Sequence, residues 1–135
     1  MPFSYSRTVR LADTDAAGVM FFARTLAVCH EAYEESLAAA GISLASLLGG
    51  EVVIPIAKSE ADYLRPLRVS DKLRITVMPE LLTPQSFAIR FEITKLGTVE
   101  KLAARVRTEH VCTSPAKRER AALPPALLAW LRPPH

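Results

Sequence analysis

From residue 72 to residue 94 the chain alternates apolar and polar side chains twice. Leu73, Ile75 and Val77 alternate with Lys72, Arg74 and Thr76, and Phe87, Ile89, Phe91 and Ile93 alternate with Ala88, Arg90, Glu92 and Thr94. Successive side chains of a strand point to opposite faces, so the pattern predicts two strands, each with one apolar face that must be covered. Only one stretch offers a long cover. From about residue 23 to 40, Leu26, Cys29, Tyr33 and Leu37 recur at helical spacing while Glu31, Glu34 and Glu35 fall elsewhere, and Gly41 supplies the stop.

The other segments are strand-like. Phe3, Tyr5, Val9 and Leu11 alternate with Ser4, Ser6, Thr8 and Arg10; "VVIPIAKSEADYL" (52 to 64) is β-rich; and a long strand is predicted from about 99 to 114 after the turn "KLGT". Pro79 and Pro84 are expected to bracket the turn between the two alternating strands, a turn-like segment to precede "GGE", and consecutive hairpins to give an antiparallel meander. The tail "PPALLAWLRPP" predicts a short helix begun by Pro125 and stopped by Pro133. The expected class is α+β, a curled five-stranded antiparallel sheet around one long central helix. Residues 1–135 are expected to form a single domain, with a basic, proline-rich tail from about 116. One helix leaves a sheet edge or face uncovered, which calls for a partner subunit.

Composition narrows the function. No apolar run approaches the roughly 20 residues that cross a bilayer. "MPFSYSRTVRL" lacks the layout of a signal peptide, and Cys29 and Cys112 make no disulfide framework, so a cytoplasmic setting is expected. The three histidines and two cysteines have no metal-ligand spacing, and neither metal nor cofactor is expected. A net charge of +3, a pI of about 9.1 and the cluster "AKRER" (116 to 120) suit an anionic small molecule better than nucleic acid or a membrane.

The segment "LADTDAAGVMFF" (11 to 22) sets Asp13 and Asp15 ahead of an uncharged stretch and the start of the helix. Such an acid pair often only caps a helix. In context it resembles more. "DTDAAGVMFF", the helix with "CHEAYEESL", "PIAKSEADYLRPLRVSDKLRI" and "ARVRTEHVC" together resemble the hotdog-fold thioesterases of the 4-hydroxybenzoyl-CoA thioesterase family, over about residues 3 to 115. "LADTDAAGV", "CHEAYE" and "HVC" before a basic tail are similar to its cyanobacterial branch that hydrolyses 1,4-dihydroxy-2-naphthoyl-CoA on the way to phylloquinone or menaquinone.

The resemblance implies a homodimer or homotetramer with sites at subunit interfaces and an acyl-CoA substrate. It implies Asp15 as the catalytic carboxylate, either attacking the thioester carbonyl or activating water. The backbone N–H of Phe22 is implied as the oxyanion donor, Asp13 as a structural loop acid, and Gly18, Val19, Met20, Phe21 and Ser86 as substrate-binding. The chemistry is coherent. Thioester hydrolysis needs a nucleophile or base and a stabiliser for the charge growing on the carbonyl oxygen. An aspartate is ionised at neutral pH, and the first N–H groups of a helix are unpaired at the positive end of its dipole. Gly18 would let backbone and substrate approach closely, and the apolar residues 19 to 22 would exclude water.

The chain departs from the family it resembles in two places. Phe21 and Phe22 stand where many relatives acting on aliphatic acyl-CoA carry Tyr-His, which makes the mouth more apolar and suits a fused-ring acyl group. "TPQSF" (83 to 87) lacks the paired arginines that hold the nucleotide phosphates in the hydroxybenzoyl enzyme, leaving Arg65, Arg68, Lys117 or Arg118 for that task. His30 and His110 read as structural, and Glu31, Glu34 and Glu35 as a solvated or interface face. The alternatives are a thioesterase for short or medium aliphatic acyl-CoA or acyl carrier protein, and an acyl-CoA-binding hotdog protein without turnover.

Overall fold

The structure, a computed structural model, describes residues 2–132. Strand β1 (Phe3–Thr8) leads through a 3-10 turn at Leu11–Asp13 to the 18-residue helix α1 (Phe22–Ala39). A five-residue helix α2 (Leu44–Leu48) precedes β2 (Ile56–Tyr63), β3 (Lys72–Thr83), β4 (Ser86–Lys95) and β5 (Lys101–Val111). The short strands β6 (Thr113–Ser114) and β7 (Glu119–Arg120) form a small hairpin, and α3 (Pro125–Leu131) follows.

The five long strands form one antiparallel sheet in the order β1-β3-β4-β5-β2. Its apolar positions face α1. Leu73, Ile75 and Val77 of β3 and Phe87, Ile89, Phe91 and Ile93 of β4 are buried in one cluster with Val28, Cys29, Ala32, Tyr33 and Leu37 of α1. Each such side chain withdrawn from water contributes about 1.5–3 kcal/mol, so this contact dominates stability. At the end of α1, Gly41 takes φ +78°, and its N–H donates to Ala38 while that of Ile42 donates to Leu37. These two bonds close the last turn of the helix, where the Leu37 carbonyl also accepts from Ala40.

Three expectations need correction. The strands do not form a simple meander: β1 takes the free side of β3, and β2 crosses to pair with β5 at the opposite edge. Alternation reports which face of a strand is apolar, not which strand lies beside it. Pro79 lies within β3, opposite Ile89, and only Pro84 stands at the turn. The pairing of β1 with β3 ends at Val77, so at Pro79 the strand has one neighbour, the setting in which a missing N–H is tolerated. The segment before "GGE" is not merely a turn, because Ser43 caps α2 by accepting from the Ser46 N–H.

Pro125 opens α3 as expected; the stop expected at Pro133 lies outside the described residues. Trp130 of α3 donates its Nε1–H to Ser36 Oγ at 3.1 Å and sets its ring edge-on to Phe87. Cys29 and Cys112 are both free and buried.

Candidate active site

Asp13 and Asp15 sit in the loop between β1 and α1 in contrasting surroundings. Asp13 is fully buried and accepts from Arg7, from both Nε and Nη2 of Arg24, and from the backbone N–H of Arg10 at 2.8 Å. Burial opposes its charge, but the bonds from Arg7, Arg10 and Arg24 outweigh that and hold the carboxyl at about 2. Arg7 also binds Glu31, which accepts from Tyr5 as well, so this helix acid is tied to β1 and is not simply solvated.

Asp15 is exposed. Its Oδ1 accepts the Ala17 N–H at 2.8 Å, its backbone carbonyl accepts the Gly18 N–H at 2.9 Å, and its N–H donates to the Val19 carbonyl at 3.0 Å. Among the described residues Oδ2 has no hydrogen-bond partner. Gly18 has φ +80°, the left-handed region glycine enters without strain, and a Cβ there would meet nothing within 4 Å. The backbone of this turn therefore calls for the glycine, whereas close approach by a neighbouring protein atom does not; nor does Gly18 line the cleft described below. The Met20 N–H then donates to Leu67 at 2.7 Å and Val19 bridges to Arg68, fastening the loop to the segment ahead of β3.

Neither acid caps α1. The N-cap is Phe21, without a side-chain bond, and its own N–H donates to the Asp13 carbonyl. The N–H groups of Phe22 and Ala23 donate to nothing among the described residues, at the end of the helix where the dipole is positive. Asp15 and this open first turn line one cleft of about 370 Å³ together with Val19, Met20, Phe21, Thr25, Tyr63, Leu64, Arg65, Pro66, Leu67, Ala103 and Ala104. The Phe21 and Phe22 rings meet edge to face at 4.8 Å, and both remain exposed. Asp15 and Phe22, whose N–H is unpaired among the described residues, line one largely apolar cleft, and a carboxylate and an open N–H donor are the two kinds of group that acyl transfer to water requires.

The cleft thus gathers Asp15, Val19, Met20, Phe21 and Phe22. It does not gather Ser86, which is buried opposite Val111 with its Oγ 2.7 Å from Thr83 Oγ1. Ala103 and Ala104 line the cleft, so at 3.3 Å per residue Ser86 stands about 25 Å along β5 from it. Lys117 and Arg118 are in the turn of the β6–β7 hairpin, beyond that same far end of β5; Arg65 is the basic residue of the cleft wall. Tyr63 and Leu64 were not anticipated as wall residues, although the stretch "ADYLRPL" contains them.

A second depression of about 320 Å³ follows along α1, lined mainly by Leu26, Cys29, His30, Tyr33, Ile56, Phe91, Thr108 and His110. His110 is stacked on Phe87 at 4.6 Å with its Nε2 2.7 Å from Thr108 Oγ1, and burial, with a smaller effect from His30, pushes it down to about 4. It is a neutral core histidine at pH 7. Among the described residues no group of three or more His, Cys, Asp or Glu is placed to hold a metal, and no helix is long and apolar enough to cross a membrane.

A family model described as the thioesterase-like superfamily matches residues 9–131. The chain belongs to this superfamily. Among the relatives of this thioesterase-like chain, a 1,4-dihydroxy-2-naphthoyl-CoA hydrolase from Nostoc punctiforme is 43% identical over 97% of the chain and 87% of its own length. Another hydrolase of the same name, from Rippkaea orientalis, is 44% identical over 95% of the chain and 94% of its own length. The crystal structure of a 1,4-dihydroxy-2-naphthoyl-CoA thioesterase from Synechocystis superposes with a TM-score of 0.92 at 32% identity, covering 98% of this chain and 96% of that one. The fold of the thioesterase-like chain is accordingly the hotdog fold, with its five-stranded antiparallel sheet.

Proposed function

We propose that the protein is an acyl-CoA thioesterase that hydrolyses 1,4-dihydroxy-2-naphthoyl-CoA to 1,4-dihydroxy-2-naphthoate and free CoA. The observation that carries the chemistry is the cleft shared by Asp15 and Phe22, the first residue of α1, whose N–H is unpaired among the described residues. Asp15 supplies the nucleophile or the base that activates water, through the carboxylate oxygen left free by its turn. As the carbonyl carbon becomes tetrahedral, the Phe22 N–H holds its oxygen at the positive end of α1. The sulfur then leaves as CoA thiol and water supplies the new acid oxygen. The acyl group is named from the relatives, and the apolar depression beyond Phe22 is of a kind to seat a fused ring.

The reading extends to a single domain over residues 1–135 whose sheet curls about α1 as its central helix, and to a cytoplasmic homodimer or homotetramer. Strand β2 is a free sheet edge, and Ile56 and Tyr63 at its two ends are exposed in the single chain. Antiparallel pairing of β2 with β2 of a second copy would bring the Ile56 end, where Ser86 lies, toward the Tyr63 end, where the other copy's Asp15 cleft lies. Arg65 lines the cleft wall, which supports it over Lys117 and Arg118 as the cation that meets the negative charge of CoA.

The test is CoA-thiol release from 1,4-dihydroxy-2-naphthoyl-CoA, benzoyl-CoA and hexanoyl-CoA, with the wild type and Asp15→Asn. The naphthoyl ester should be turned over fastest, and the substitution should lower kcat roughly a thousandfold, within the range for losing a general base. Preference for hexanoyl-CoA would discard the substrate and keep the mechanism. Full activity of Asp15→Asn would discard the mechanism.

A further inference from the structure

The geometry points to Tyr63 as a positioning residue that sets the oxyanion-binding turn of α1, an inference that rests on the role proposed above for that turn. Tyr63 is the last residue of β2, paired with Ala104, and its ring forms part of the Asp15 cleft. Its hydroxyl reaches across from the sheet edge and donates to the Phe22 carbonyl at 3.1 Å. This bond spans 41 residues and ties the edge strand to the first helical residue.

The Phe22 carbonyl has two lone pairs, so it can accept from Tyr63 while still accepting from the helix one turn on. The same peptide unit carries the Ala23 N–H. Donation to its carbonyl polarises the unit and strengthens that N–H as a donor, and it restrains the peptide on the C-terminal side of Phe22. The Ala23 N–H is therefore held by a contact from outside its own helix, one peptide beyond the open N–H of Phe22.

Exposure separates this role from one in folding. In the single chain Tyr63 is 52% exposed and water would satisfy its hydroxyl if the bond were lost, and in the proposed β2–β2 dimer a phenylalanine ring would keep the contacts of the tyrosine ring. The bond is thus of small consequence for stability, whereas a shift of the N–H groups by a fraction of an ångström matters to charge developing on the carbonyl oxygen. Loss of the hydroxyl should appear in kcat and leave the unfolding midpoint in place.

The experiment pairs kinetics with the backbone amide spectrum of Tyr63→Phe, which keeps the ring and removes only the hydroxyl. Expected are a roughly tenfold fall in kcat, less than the hundredfold or more for losing an oxyanion donor outright, a KM within twofold of wild type, an unchanged Tm, and displaced amide resonances for Phe22 and Ala23. Unchanged kcat and amide resonances would overturn the inference, as would a raised KM at unchanged kcat, which would make Tyr63 a substrate-contact residue. The amide readout needs no turnover. Were the wild type inactive on every ester, failure of the proposed activity would remain distinct from failure of the Tyr63 contact.

Discussion

One residue, Thr14, separates Asp13 from Asp15, and the loop sets the two acids in opposite surroundings. Asp13 has spent its oxygens on Arg7, Arg10 and Arg24; Asp15 keeps one free at the edge of a cleft. Asp13 and His110 govern acid stability in different windows. The folded imidazole of His110, at about 4 against an ordinary 6.5, is harder to protonate than the unfolded one. As pH falls from 6.5 to 4 the unfolded chain takes the proton first, and roughly 3 kcal/mol of stability is lost. Asp13, at about 2 against an ordinary 3.8, contributes fully above pH 4, and roughly 2 kcal/mol disappears as pH falls through 2. Urea midpoints measured from pH 7 to pH 2 should decline across both windows. His110→Phe should flatten the upper one and leave the lower; an unaltered upper slope would show that other groups carry it.

At the scale of elements, the Asp15 turn depends on Gly18. With no atom near a Cβ at that position, Gly18→Ala should cost only the strain of the left-handed backbone, about 1 kcal/mol by urea unfolding, and Gly18→Asn should cost less. Equal stabilities for the alanine and glycine proteins would mean that the turn relaxes to another conformation. The elements were legible to different degrees, for physical reasons. The α1 stripe and the alternation in β3 and β4 reflect burial against one another, so their residue types repeat at the period of the structure. The placement of β2 was not legible, since its neighbours are a matter of long-range pairing and most of its residues are exposed in the single chain. Asp15 and Phe22 are proposed from a motif whose spacing is local, and both line one cleft. Tyr63 was missed because its partner is 41 residues away and nothing in "ADYLRPL" announces a bond to a helix start.

For the whole molecule, the single chain has two sheet edges, and β2 carries exposed apolar residues at both ends. Sedimentation at micromolar concentration should give a mass of two or four times the 14.8 kDa of the chain; a fully active species of 14.8 kDa would refute the composite site. Within one chain, Tyr33, Phe87, His110 and Trp130 form an aromatic cluster joining α1, the sheet and α3. Of the two buried cysteines, Cys29 is on the buried face of α1 and Cys112 lies beneath the tail, where its Sγ donates to the Ala122 carbonyl at 3.5 Å. Burial raises both thiols and suppresses the thiolate, so a thiol reagent reaches each one only when the structure over it opens. The wild-type chain therefore contains two internal clocks, one started when the tail peels away and the other when the helix lifts from the sheet.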